Sequence, residues 1–149
     1  MMAQGETDER NVVRLTILSG DITAGDLADL VGQRSDESWT AGTPHEWRGR
    51  TLARTHPFHG IRYVSQLPEG APVSSHIRDV VDRIGPDGVK RIAELCKRDD
   101  VERCRLSIGV FDEGTDSISV LLDAEVIAIV KDLGVDILVD TYSVSSDDL

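Results

Sequence analysis

Apolar residues along this chain recur with two periods, one of two residues and one near 3.6, and their order sketches a fold. From Val12 to Ser19, Val13, Leu15 and Ile17 alternate with Arg14 and Thr16, the pattern of a strand with one buried face, which Gly20 and Asp21 end. Thr23 then offers an N-cap, Asp26 completes a capping box three residues on, and Ile22 is placed to staple onto Leu27. Leu30 and Val31 extend the inner face of this helix, and Gly32 suits the left-handed position after its last turn.

Between Gln33 and Pro57 the period fails, while Gly, Pro, Ser and Thr accumulate beside Trp39 and Trp47, so this segment reads as irregular. Ile61 to Leu67 reads as a strand and Pro68 to Pro72 as a loop. Ser74 or Ser75 caps a second helix with Ile77, Val80, Val81 and Ile84 on its inner face. Gly85 and Pro86 end it and open a third, whose face is Val89, Ile92, Ala93 and Cys96. Cys104, Leu106, Ile108 and Val110 then alternate with Arg103, Arg105 and Ser107, which predicts another strand. A short strand at Ser117 to Leu121, a helix over Asp123 to Leu133 and a strand at Val135 to Tyr142 complete the reading.

The last helix repeats the first: Leu122, Asp123, Ile127, Val130 and Gly134 match Ile22, Thr23, Leu27, Leu30 and Gly32 except in the spacing of the final glycine. The parallel predicts an α+β fold of two strand–helix–strand halves, a duplicated ferredoxin-like arrangement with a central helix pair and a mostly antiparallel sheet. Convergence of two well-capped helices on the same signals is the alternative. One domain is expected over residues 12–142, with disordered polar ends at 1–11 and 143–149.

Composition narrows the functions. The chain has 149 residues and a formal net charge of −11. That charge opposes nucleic-acid binding, which depends on Lys and Arg displacing counterions from phosphates, and it favours basic partners. No apolar run approaches the roughly 20 residues that cross a bilayer, and the start lacks signal-peptide character, so no membrane role is expected and the cytoplasm is the default location. Cys96 and Cys104 are too few for a disulfide framework and fall on apolar faces, so both read as buried thiols.

Aromatics are only 4% of the chain, which makes their clustering informative. The stretch Pro44 to Tyr63 holds Trp47, Arg48, Arg50, Arg54 and Arg62 with His45, His56 and His59, against Glu46 as its only acid. One reading is an anion-recognition surface, in which Trp47 stacks and Arg48 presents a guanidinium fork to a carboxylate or phosphate. The other is internal compensation, with Arg48, Arg50 and Arg54 on the solvent side of a strand. His56-Pro57-Phe58-His59 has the spacing of a metal turn, yet only His45 offers a third ligand, so no metal and no cofactor is expected. No Gly-x-Ser-x-Gly turn or Cys–His pair is present, and no phosphate-binding glycine loop. Asp136 and Asp140 share a strand face with Leu138 and Tyr142 and read as rim acids. No catalytic residue is assigned.

The helix ended by Gly32, the Trp39–Gly42 turn, the central helix pair and the closing run Val135-Asp136-Ile137-Leu138-Val139-Asp140-Thr141-Tyr142 together resemble the bacterial domain-of-unknown-function family 4279. The resemblance spans most of the chain and implies a compact α+β domain of bacterial origin, with no accepted activity and no catalytic residues to transfer. By analogy it suits small binding or immunity-type proteins. The leading expectation is therefore a non-enzymatic module that binds another protein, a basic one being favoured by charge, through acidic helix faces and the Trp-bearing segment. A homo-oligomer is left open. The contact residues would be Trp39, Trp47, Arg48, Arg50, His56 and His59. The rival is a small-molecule or anion-binding sensor, or a hydrolase with an unusual site, built on the Arg/His-rich segment 45–62.

Overall fold

Strand β1 (Arg10–Ser19) places Val13, Leu15 and Ile17 on one side with no solvent exposure, and it forms the middle of the sheet. The computed structural model describes residues 10–47, 49–113 and 118–144. After β1 come α1 (Ala24–Val31), β2 (Glu37–Trp39), β3 (Pro44–Trp47), β4 (Arg50–Thr55) and β5 (His59–Val64). These lead to α2 (Val73–Leu95), β6 (Arg103–Glu113), α3 (Ala124–Leu133) and β7 (Asp136–Val144). The five-stranded sheet has the order β2-β5-β1-β6-β7, and β3 with β4 makes a separate hairpin. Every pair in the larger sheet is antiparallel except β6 with β7.

This is the expected α+β class with a mostly antiparallel sheet. The duplicated ferredoxin-like arrangement gains no support from the pairing, because the unit β1–α1–β5 closes antiparallel while β6–α3–β7 closes parallel. The helix faces also differ in phase. In α1 the buried residues are Leu27 and Val31, four and eight positions past the Thr23 cap; in α3 they are Val126, Val130 and Leu133, three, seven and ten past Asp123. Leu30 (39% exposed) and Ile127 (56% exposed) therefore leave the inner faces that the pattern assigned them. One residue is about 100° of helix rotation, enough to turn a core position to solvent.

The caps form where the sequence placed them. Thr23 accepts from the backbone N–H of Asp26 at 3.2 Å, and Asp123 accepts from that of Val126 at 2.9 Å. The return bond of a full capping box, to the Asp26 carboxylate, is not made among the described residues. Ser74 and Ser75 do not cap α2. Pro72, held at φ −60° and ψ 150°, takes the N-cap position, and the Ser74 hydroxyl instead donates to the Leu121 carbonyl at 3.3 Å. The expected helix pair is one run broken at Gly85, whose φ of 81° and ψ of 165° are open to glycine, and Pro86 starts the second half.

Three further expectations are corrected. The segment 33–57 contains β2, β3 and β4; these strands are short, exposed and poor in apolar alternation, which hid them. The described part of the strand expected at 117–121 runs without regular structure, Leu121 being 82% exposed, and Ser117 lies outside the described residues. Arg10 and Asn11 belong to β1, where the buried Asn11 amide donates to the Ala71 carbonyl at 2.8 Å, and Ser143 and Val144 belong to β7. The rest of the ends expected to be disordered, residues 1–9 and 145–149, lies outside the described residues.

The helices cover the side of the sheet that carries Leu15, Ile61, Leu106 and Ile108, where they meet Leu27, Ile77, Ile92 and Leu133 in one aliphatic core. Two buried polar side-chain atoms, Asn11 Oδ1 and His76 Nε2, have no hydrogen-bond partner among the described residues. His76, 1% exposed on α2, shares a hydrogen bond with the Ser65 hydroxyl, and burial holds its imidazole below its ordinary pKa despite nearby Asp79 and backbone carbonyls. Cys104 is buried and Cys96 half-buried, against the expectation that both are fully inside. Their thiols interact: the bond from Cys104 favours the Cys96 thiolate, while the same contact and burial push Cys104 upward.

Candidate functional site

Because side chains alternate across a strand, the residues between the core positions of β1 and β6 all face the opposite, helix-free side. These are Arg14, Thr16 and Leu18 on β1 and Arg103, Arg105 and Ser107 on β6. Thr16 is paired with both Arg62 of β5 and Arg105 of β6, Arg62 with Glu37 of β2, and Arg105 with Asp136 of β7, so one row crosses the whole sheet as Glu37, Arg62, Thr16, Arg105, Asp136. Arg14 is paired with Ser107 and Leu18 with Arg103, which sets Arg14 and Arg103 diagonally beside that row.

The walls come from the segment read as irregular. The residues between β2 and β3, together with β3 itself and the turn His56–Phe58, rise over this face and enclose a cleft of about 910 Å³ whose floor includes Arg14, Thr16, Arg62, Arg103 and Arg105. Backbone bonds fasten the hairpin: Gly42 N–H donates to the His56 carbonyl at 2.8 Å, and His56 N–H donates to that of Thr43 at 2.9 Å. The Ala41 N–H donates to Nδ1 of His59 at 3.1 Å.

Trp39 lies flat on the backbone of Gly60, its partner in the sheet, so closely that a Cβ there would collide with the indole. His56 stacks on Trp39 with ring centroids 5.0 Å apart, and His45 lies 3.7 Å from His56. The Arg62 guanidinium sits 4.9 Å from the Trp39 ring, donates to Glu37 at 2.9 Å and reaches the Thr16 hydroxyl at 3.1 Å. Partial burial first, then the neighbouring His45 and Arg62, holds His56 below its ordinary pKa, which favours the neutral imidazole.

The charges on the floor are unequal in their compensation. Arg62 has Glu37, whereas Arg14, Arg103 and Arg105 form no ion pair among the described residues. Three guanidiniums thus share one concave surface in a chain whose formal charge is −11. They provide planar, bidentate donors for carboxylate or phosphate oxygens.

Of the six residues expected to make contacts, Trp39 and His56 line the cleft. His59 supports its wall from behind, and Arg50 is exposed on β4 away from the lining. The Trp47 side chain and Arg48 lie outside the described residues. Trp39 is half-buried, so its indole is neither in the aliphatic core nor free in solvent. Among the described residues no group of His, Cys, Asp and Glu side chains is arranged to hold a metal ion; the first histidine of His56-Pro57-Phe58-His59 is stacked and the second is engaged with Ala41. The floor arginines Arg14, Arg103 and Arg105 were visible only as polar members of two alternating strands, with no signal that those strands are neighbours.

No helix among the described residues is long and apolar enough to cross a membrane. No curated protein and no solved structure matches this chain. One family model does match, that of a domain of unknown function, DUF4279, over residues 8–144. That match takes in β1 through β7 and the whole of the arginine-floored cleft, and the chain therefore belongs to the DUF4279 family.

Proposed function

We propose that the cleft is a non-catalytic binding site for a small anion bearing phosphate or carboxylate groups. The observation that carries this reading is the gathering of Arg14, Arg103 and Arg105, which form no ion pair among the described residues, on one concave floor. Arg14 lies diagonal to both Arg62 and Arg105, and Arg103 sits two residues from Arg105 on the same face; such like charges repel one another, so an anion that neutralises them stabilises the native state. His56, stacked on Trp39, and His45, tilted against His56, give the wall an aromatic surface for a flat ligand and leave the guanidiniums to bind its charge. Neither a strong nucleophile nor a base held close to one lines the cleft among the described residues, which favours binding over turnover.

Thermal melts with inorganic phosphate, pyrophosphate and citrate test this. At 100 times its Kd a ligand adds about 2.7 kcal/mol of stability, a shift of several degrees. The shift is expected to grow with ligand charge and to vanish in Arg105→Ala. Equal melts with and without all three anions would sink the reading. The protein-partner reading is favoured by a different observation, a row of exposed apolar side chains on β7, at the opposite edge of the sheet from β2 and its Trp39.

A further inference from the structure

Strand β7 is the outer edge of the sheet, and over Asp136–Tyr142 every residue is exposed. Ile137 (44%), Leu138 (37%), Val139 (42%) and Tyr142 (46%) place large apolar groups on both of its faces. The strand runs nine residues in unbroken register with β6 and carries no Pro, no Lys and no bulge. Those are among the devices by which proteins keep a long edge from pairing with another chain, and of another, charge, β7 carries only Asp136 and Asp140 over its exposed stretch. The reason for the exposure is local: α3 packs chiefly on α2, so the row Ile137, Val139, Thr141 points to the helix side but passes beyond the helices.

We infer that β7 pairs antiparallel with β7 of a second copy about a twofold axis at Val139, joining two sheets into one of ten strands. An axis normal to the sheet keeps the helices of both copies on the same side, so each residue must face one of its own parity. Among the central registers, an axis at Leu138 sets Asp136 against Asp140, and an axis at Asp140 sets that residue against itself. The axis at Val139 opposes no acid to another. It sets Asp136 opposite Tyr142, whose hydroxyl is a donor for the carboxylate, Ile137 opposite Thr141, and Val139 opposite its own equivalent. An axis at Thr141 also opposes no acid to another, but it leaves Ile137 with no opposite residue in β7, which ends at Val144; the Val139 axis avoids facing acids, which are destabilising across a ladder, and keeps Ile137, Leu138, Val139 and Tyr142 all within the paired stretch. Tyr142 is stacked on Phe111 at 4.6 Å, which holds its ring on the cleft side, where Asp136 also points.

Two measurements on the full chain test this. Sedimentation equilibrium is expected to give the mass of a dimer for the wild type and of a monomer for Val139→Lys, which sets two ammonium groups against each other at the axis. Val139 is 42% exposed, so the variant is expected to keep its circular dichroism and melting temperature. Mild oxidation is expected to crosslink Val139→Cys between copies, and Asp140→Cys much less, with the wild type alongside to report any contribution from Cys96. A monomeric wild type overturns the inference and leaves a foreign strand as the occupant of the edge. A dimer unaffected by Val139→Lys, or crosslinked better at 140 than at 139, overturns it as well.

Discussion

The two faces of the main sheet are built from the same strands and share nothing else. Val13, Leu15 and Ile17 of β1 are fully enclosed, while Arg14 and Thr16 between them line an open cleft. On the covered face stability comes from removing aliphatic surface from water, roughly 25 cal/mol per Å², so each side chain contributes and none needs a specific partner. On the open face little is buried, and three of its guanidiniums form no ion pair among the described residues. The difference teaches that these strands hold the fold with one set of residues and present the other set on an open, concave surface.

The largest contrast is expected from neighbouring residues of β6. Leu106→Ala removes a fully buried side chain and is expected to cost about 2–5 kcal/mol, read from the denaturant midpoint. Arg105→Ala, one residue away on the other face, is expected to change the midpoint by less than about 0.5 kcal/mol. An equal loss for both would mean that the open face is structural and not reserved for binding.

A smaller contrast lies in the pH dependence. His76 on the covered side and His56 on the open side are both held below their ordinary value in the folded chain. The fold therefore favours the neutral imidazole, so their contribution is complete above the unfolded value of about 6.5 and is lost as the pH falls below it. The melting temperature is expected to drop from about pH 7.5 to about 5.5, and His76→Gln is expected to flatten that slope more than His56→Gln, because only His76 is enclosed. A slope unchanged by either substitution would assign the effect to carboxylates.

The smallest effect separates two thiols. In the native protein an alkylating reagent is expected to modify the half-exposed Cys96, whose thiolate is favoured by Cys104, before it reaches Cys104 itself. Mass spectrometry of a time course reads the order, and simultaneous labelling would show that this corner of the core opens as a unit.

Much of the fold was readable in advance, and the errors have a common cause. Alternation located β1, β5, β6 and β7, and the caps and breakers Thr23, Gly32, Gly85, Asp123 and Gly134 bounded the helices closely. The phase of α1 and α3 was misread at Leu30 and Ile127, because helix rotation about its own axis is set by the neighbour it packs against. The candidate site was only partly readable. Composition drew attention to Trp39 and to residues 44–63, and Trp39, His45, His56 and Arg62 do line the cleft, yet Arg50 is not part of its lining. The floor arginines Arg14, Arg103 and Arg105 were missed because each, within its own strand, is an ordinary solvent-side residue.

Local chemistry wrote the elements of this protein, since a cap, a glycine break or an alternating run acts through bonds between residues a few positions apart. Which elements became neighbours was settled in three dimensions: β1 meets β6 across some ninety intervening positions, and only that pairing brings Arg14 and Arg105 onto one surface. No local pattern encodes such a meeting, because the free energy that selects it is the burial of the aliphatic face on the far side of the same strands.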